Sequence, residues 1–150
     1  MSVRPTLELR IPISPTPAYQ RMVRLLWDSL QHFGGPLARA ADVVLSVSAE
    51  PDRIGLERAF EFAPPGRIRW RWVDAALFAR WEYDATGLDR YLVESKADII
   101  GMFDADLLIA GDFDALLRRS YLEQRLLGCI AHVSPFAAAE HRHLPAAAWW

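Results

Sequence analysis

The chain has a single cysteine, Cys129, in 150 residues. An intramolecular disulfide is therefore excluded, and so is a zinc centre built on several thiolates. Cys129 lies in an apolar run, where a small buried thiol is the plain reading. Lysine is equally scarce: Lys96 is alone among 17 basic residues, and the rest are arginine. A GC-rich coding bias accounts for that without appeal to phosphate binding. Charge of one sign is not in excess either. A formal net charge of -2 gives no electrostatic footprint for nucleic acid or an anionic membrane.

Long hydrophobic runs are missing too. No stretch approaches the roughly 20 apolar residues of a membrane span, which predicts no transmembrane segment. The opening Met1-Ser2-Val3-Arg4-Pro5 lacks the apolar core of a signal peptide, and a cytoplasmic protein is expected. With 52% hydrophobic and 24% charged residues, the composition is that of a folded domain and not of a disordered one. No repeat or low-complexity linker divides it, so residues 1–150 read as one domain.

What is present alternates between two periods. Thr6 to Ile13 reads as a strand. Thr16-Pro17 then gives an N-cap with proline at the first helical position. Tyr19, Met22, Val23, Leu26, Leu30 and Phe33 recur at steps of three and four, the stripe of an amphipathic helix stopped by Gly34-Gly35-Pro36. Asp42 to Ser48 is a second strand, and a short helix is expected over Arg53 to Phe62. Arg67 to Val73 alternates polar and apolar residues, as an edge or half-exposed strand does. Its three arginines read as the solvated face of that edge more readily than as a phosphate-binding stripe.

The residues from Asp74 to Tyr83 fit a helical turn followed by a loop. Helical signals return at Asp84-Ala85-Thr86, with Leu88, Tyr91 and Leu92 as the apolar stripe. The apolar run from Ile99 into Asp104 reads as a buried strand, a helix follows from Asp112, and Gly128 to Val133 reads as one more strand. Strands alternating with helices predict a three-layer α/β/α, Rossmann-like fold with a mainly parallel sheet. Ser14, Glu50, Asp74, Asp104 and Asp106 then share the rim formed by the carboxyl ends of the strands, where open α/β sheets bind ligands.

The most informative run is Ile99-Ile100-Gly101-Met102-Phe103-Asp104-Ala105-Asp106-Leu107-Leu108-Ile109. An apolar strand breaks off at two carboxylates one residue apart. Oxygen ligands of this kind suit Mg²⁺ or Mn²⁺, which commonly also hold substrate phosphates. The spacing alone is weak, because Asp112-Phe113-Asp114 repeats it. The second copy precedes a helix, and Asp112 reads as its N-cap and Asp114 as a first-turn acid.

The segment Arg90-Tyr91-Leu92-Val93-Glu94, together with Ala97 to Asp114, resembles the donor site of GT-A nucleotide-sugar transferases. Those enzymes carry an arginine-bearing helix, a hydrophobic strand, an acidic D-x-D, and an apolar stretch leading into a helix. Ile11-Pro12-Ile13-Ser14 is similar to their first strand, whose end contacts the nucleotide base. The resemblance implies that Ile13, Ser14, Ser48, Glu50, Arg90, Asp104 and Ala105 line a site for a UDP- or GDP-sugar. It implies that Asp106, with Asp104, ligates Mn²⁺ or Mg²⁺ bridging the two phosphates, and that Arg90 contacts the donor. The paired acids that many members carry near the second strand are missing here. Family members continue past the strand corresponding to 128–133 into an acceptor-binding half, which supplies the catalytic base where one is used. The chain thus reads as the donor-binding portion, its acceptor unknown.

Other readings stay open on the sequence. One is a non-catalytic nucleotide-binding or interaction domain of the same fold. Another is an aspartyl-phosphate phosphohydrolase, though there the acids usually end the first strand, and Leu108 stands where Thr or Val is usual. His141-x-His143 is a bare pair without an evident third ligand, and a solvated tail is the plainer reading.

Overall fold

The computed structural model describes residues 5–48, 53–81 and 83–126, with 83 and 84 as backbone only. The described residues form four strands and six helices in the order β1 (Leu7–Pro12), α1 (Pro17–Phe33), α2 (Pro36–Arg39), β2 (Asp42–Ser48), α3 (Arg53–Arg58), β3 (Ile68–Val73), α4 (Ala75–Trp81), α5 (Tyr83–Asp89), β4 (Ile99–Met102) and α6 (Asp114–Glu123). The sheet has the order β3-β2-β1-β4 and is parallel throughout. All four carboxyl ends therefore share one rim, and helices lie on both faces. The expected three-layer α/β architecture is present.

Side-chain alternation along β1 organises the molecule. Leu7, Leu9 and Ile11 point to one face, in register with Val43 and Leu45 of β2 and with Ile99 and Gly101 of β4. Ile68, Trp70 and Trp72 of β3 extend the same face. Against it lies α1, whose Val23, Leu26, Trp27 and Leu30 meet Leu9, Ile11, Val43 and Ile68. Burial of each such aliphatic side chain contributes about 1.5–3 kcal/mol. Of the α1 stripe read from the sequence, Val23, Leu26 and Leu30 pack, joined by Trp27, while Met22 and Phe33 are exposed. The helix start is as expected, with the Thr16 side chain accepting from the Tyr19 N–H. Trp70 and Trp72 stack at 5.3 Å with 12° between planes, and Phe60 meets Trp70 edge-on at 5.0 Å.

The opposite face presents Glu8, Arg10 and Pro12 from β1, Val44, Ser46 and Ser48 from β2, and Arg69 and Arg71 from β3. α5 lies across β1, β2 and β3 on this side, and the segment from 90 to 97 follows it. The β3 arginines do lie on a solvated face, the Arg69 and Arg71 side chains being 49% and 50% exposed, yet both are also paired. Arg69 pairs with Glu8, and Arg71 Nε donates to Asp89 at 3.0 Å while Ser46 donates to the same carboxylate at 3.4 Å. Their β3 backbone sits at the sheet edge as expected, but their guanidinium groups reach inward. Asp89, accepting from Arg71, raises the Arg71 pKa.

Several expectations need correction. Among the described residues β4 is an outer strand and not a buried one: Ile100 is 43% and Met102 37% exposed. The strand with all six residues buried is β1. An apolar run reports what a strand would bury on both faces, but it carries no information on where the strand falls in the sheet order. Leu88, Tyr91 and Leu92 are all exposed, and α5 is seated instead by Ala85, Thr86 and Asp89. The stretch after Asp74 is a two-turn helix, α4, because the Asp74 carboxylate caps the N–H groups of Ala76 (2.9 Å) and Leu77 (3.0 Å). The helix from Arg53 ends at Arg58 and continues as turns. The strand expected at Gly128–Val133 lies outside the described residues, as do His141 and His143.

Candidate functional site

The rim is built where β1 and β4 run side by side, the point at which the strand order reverses direction. Open α/β sheets take their ligands outside the carboxyl ends at such a point. On the β1 side, Ile13 continues past the strand as a buried residue whose N–H donates to Ser46 at 2.9 Å. Ser14 follows, half-buried, before the α1 cap. On the β4 side the chain leaves the sheet at Phe103, whose N–H donates to the Arg10 carbonyl at 3.0 Å.

Beyond Phe103 burial alternates residue by residue. Phe103 packs against the core, Asp104 is exposed, Ala105 is 3% exposed, and Asp106 is exposed again. Ala105 is the foot of a turn that turns both carboxylates towards solvent. Past the acids the chain is tied back to α1, where the Ile109 N–H donates to Ser29 Oγ at 3.0 Å. Phe113 meets Phe103 at 6.3 Å beneath the loop.

Arg90 stands in the turn after α5. Its Nη1 donates to the Phe103 carbonyl and to Asp104 Oδ1, both at 3.1 Å. The structure therefore joins two residues singled out from the sequence, Arg90 and Asp104, in one ion pair. Asp106 forms no ion pair among the described residues. Ser48 is also drawn to this end of the sheet, but it is 2% exposed and in register with Val73. Glu50 lies outside the described residues.

The second acidic pair does something else. The Asp114 carboxylate accepts from Leu37 N–H at 2.7 Å and Ala38 N–H at 3.1 Å, capping α2 from 76 residues away. Asp112 Oδ1 accepts from the Asp114 N–H at 2.8 Å, and Phe113, not Asp112, holds the N-cap position of α6. Gly35 makes this dock workable, since a Cβ there would stand 2.1 Å from Asp112 Oδ1 and 2.4 Å from Asp114 Cγ. This copy is structural, as its helix-start context predicts, but its main partner is another helix.

Two residues next to the site were not read from the sequence as functional. Glu8 and Arg10, each 2% exposed, form a 2.7 Å ion pair on the polar face of β1. Burial pushes the Glu8 carboxyl up, but hydrogen bonds from Arg10 and Ser95 and the charges of Arg10 and Arg69 outweigh it and hold the carboxyl below its ordinary value. The signal was present in Leu7-Glu8-Leu9-Arg10-Ile11: opposite charges two apart on a strand share a face.

The donor chemistry fits a hard divalent cation. Two carboxylates on a solvent-facing turn supply one or two oxygen ligands, and such a cation completes its shell with water and phosphate oxygens. Among the described residues, no group of three or more His, Cys, Asp or Glu side chains is placed to hold a metal. Asp104 and Asp106 are the two carboxylates that this turn presents. No helix among the described residues is long and apolar enough to cross a membrane. No protein-family model matches the chain, and no curated protein matches it.

Proposed function

We propose that this chain is the donor-binding portion of a cytoplasmic, metal-dependent glycosyltransferase of GT-A type, taking a UDP- or GDP-sugar and serving an acceptor yet to be identified. The observation that carries the reading is the Asp104–Ala105–Asp106 turn at the strand-order reversal, with the Arg90 guanidinium on Asp104. Asp106, with Asp104, would hold Mn²⁺ or Mg²⁺. Bound there, the cation supplies Lewis-acid stabilisation to a diphosphate leaving group. Arg90 adds a planar, permanently charged fork suited to phosphate oxygens. Ser14, half-buried across the rim at the end of β1, would meet the base or ribose, with the fully buried Ile13 behind it.

Calorimetric titration with UDP and with GDP, each with and without Mn²⁺, tests this. Manganese-dependent binding by the parent chain is expected, with a loss of about 10-fold or more in Asp106→Ala, the scale on which metal sites respond to a removed partner. A folded parent chain that takes up neither nucleotide in the presence of Mn²⁺ refutes the donor-site reading. Nucleotide binding with no sugar transfer or donor hydrolysis identifies a binding domain of the same fold.

A further inference from the structure

We propose that Arg10 is the positioning residue of this site, holding Arg90, and through Arg90 the carboxylate of Asp104, from inside the sheet. The role in ligand binding rests on the donor-site reading above; the positioning itself rests on geometry. Three hydrogen bonds close a circuit. The Phe103 N–H donates to the Arg10 carbonyl (3.0 Å), Arg90 Nη1 donates to the Phe103 carbonyl (3.1 Å), and Arg10 Nη1 donates to the Arg90 carbonyl (2.8 Å). The circuit joins the central strand, the exit of β4 and the turn after α5. Asp104 hangs from it by the second bond of Arg90 Nη1.

Neutralising Glu8 does not explain Arg10. Glu8 Oε2 already accepts from Arg69 and from Ser95 Oγ (2.8 Å), and its Oε1 fixes Arg10 Nε at 2.7 Å. Glu8 thus orients the guanidinium, and the reach to Arg90 is what the orientation achieves. That reach has a cost. Arg10 Nη2 and Arg90 Nε are buried with no hydrogen-bond partner among the described residues, and an unmade buried hydrogen bond is unfavourable. A lysine at position 10 would put its charge at one point beside Glu8, without the planar fork that sends Nε to Glu8 and Nη1 to the Arg90 carbonyl. Arginine's rigid fork holds two directions at once.

Arg10→Lys separates the two tasks, since it keeps a cation beside Glu8 and gives up the bond to Arg90. Ser95→Ala serves as the comparison, because it removes a Glu8 partner and leaves the circuit whole. Two readouts are taken: water exchange of the Arg90 Nε–H by ¹⁵N NMR, and UDP affinity with Mn²⁺ by calorimetry. In Arg10→Lys, exchange is expected to rise by more than about 10-fold, as a locally opened site does. Affinity is expected to fall about 10-fold, the usual effect of losing a group that orients a metal ligand. Ser95→Ala should move neither. Unchanged Arg90 exchange in a folded Arg10→Lys overturns the proposal, and so does an equal change in Ser95→Ala. Should Arg10→Lys fail to fold, Glu8→Gln/Arg10→Gln, which leaves no buried charge unpaired, is read against the same two outcomes. If the parent chain binds neither UDP nor GDP with Mn²⁺, the donor reading fails, and the Arg90 signal alone still decides whether Arg10 positions it; if it binds GDP only, GDP replaces UDP in the affinity readout.

Discussion

On one side of β1 stand Leu7, Leu9 and Ile11; one residue along, on the other, stand Glu8, Arg10 and Pro12. Both sets are buried, yet they hold the molecule by different means. The apolar side gains by removing carbon from water, is indifferent to orientation, and tolerates substitutions of similar volume. The charged side gains little net energy, because desolvating two ions offsets most of their attraction. It contributes direction. A one-residue slip of β1 would carry Glu8 and Arg10 under α1 and turn three aliphatic side chains into the buried polar layer beneath α5. The charges thus fix the register on which the rim depends, and the apolar side supplies the stability. The candidate site is reached from the charged side through Arg10 and Arg90, and tied to the apolar side only by Ser29 and the core residues beneath it.

This contrast can be broken most sharply at Glu8. Glu8→Leu leaves Arg10 buried without its carboxylate and is expected to cost about 4 kcal/mol in denaturant unfolding, as cutting one partner from a buried pair does. Replacing both, as Glu8→Leu/Arg10→Met, should restore most of that loss; a double variant no better than the single one would show that the pair itself supplies stability. On the apolar side, Leu45 is fully buried, and Leu45→Ala is expected to cost about 3 kcal/mol with no second variant able to rescue it by charge removal. Asp114→Ala uncaps α2 and should cost about 1 kcal/mol, and Gly35→Ala should match it in the same measurement if the close approach of Gly35 to Asp114 is what seats the cap.

The smallest effect is in pH. The Glu8 carboxyl is held below its ordinary value of 4.5 in the folded chain. Its stabilisation is therefore complete above that value and is lost as pH falls through the lower, folded-state value. Unfolding midpoints should drop below about pH 4.5 more steeply in the parent chain than in Glu8→Gln. Equal slopes would place the acid sensitivity elsewhere, with Asp98, whose carboxyl Thr6 likewise holds low, as the next group to replace.

Much of the local structure was legible because it is set locally. The Thr16 cap, Pro17 and the repeat at Val23, Leu26 and Leu30 define α1 within one stretch of chain, and the structure reproduces them, though Met22 and Phe33 at the stripe's margins are exposed. The edge character of β3 was legible from its alternation. The sheet order was not. β4 looked internal because its residues are apolar, while the charged β1 is the strand buried on both faces. The partners that make Glu8 and Arg10 intelligible lie 61, 80 and 87 residues away, at Arg69, Arg90 and Ser95, and no local window contains them. The acids at 104 and 106 were legible from their place after a strand. The role of Asp114 as a cap on α2 was not, since its acceptor geometry depends on a helix 76 residues earlier.

One feature at the amino ends of the strands bears on how the chain is made. Thr6 and Asp98 clasp each other through three hydrogen bonds of 2.8–3.0 Å, across 92 residues of sequence. On a ribosome adding about 5–20 residues per second, β1 therefore waits on the order of 5–20 s for its β4 neighbour. Until then its backbone is an open edge of the kind that invites pairing with other chains, and inward-pointing charges on a strand are a known protection against that. Glu8 and Arg10, which add little net energy to the finished sheet, put inward-pointing charges on that strand during the interval before residue 98 arrives.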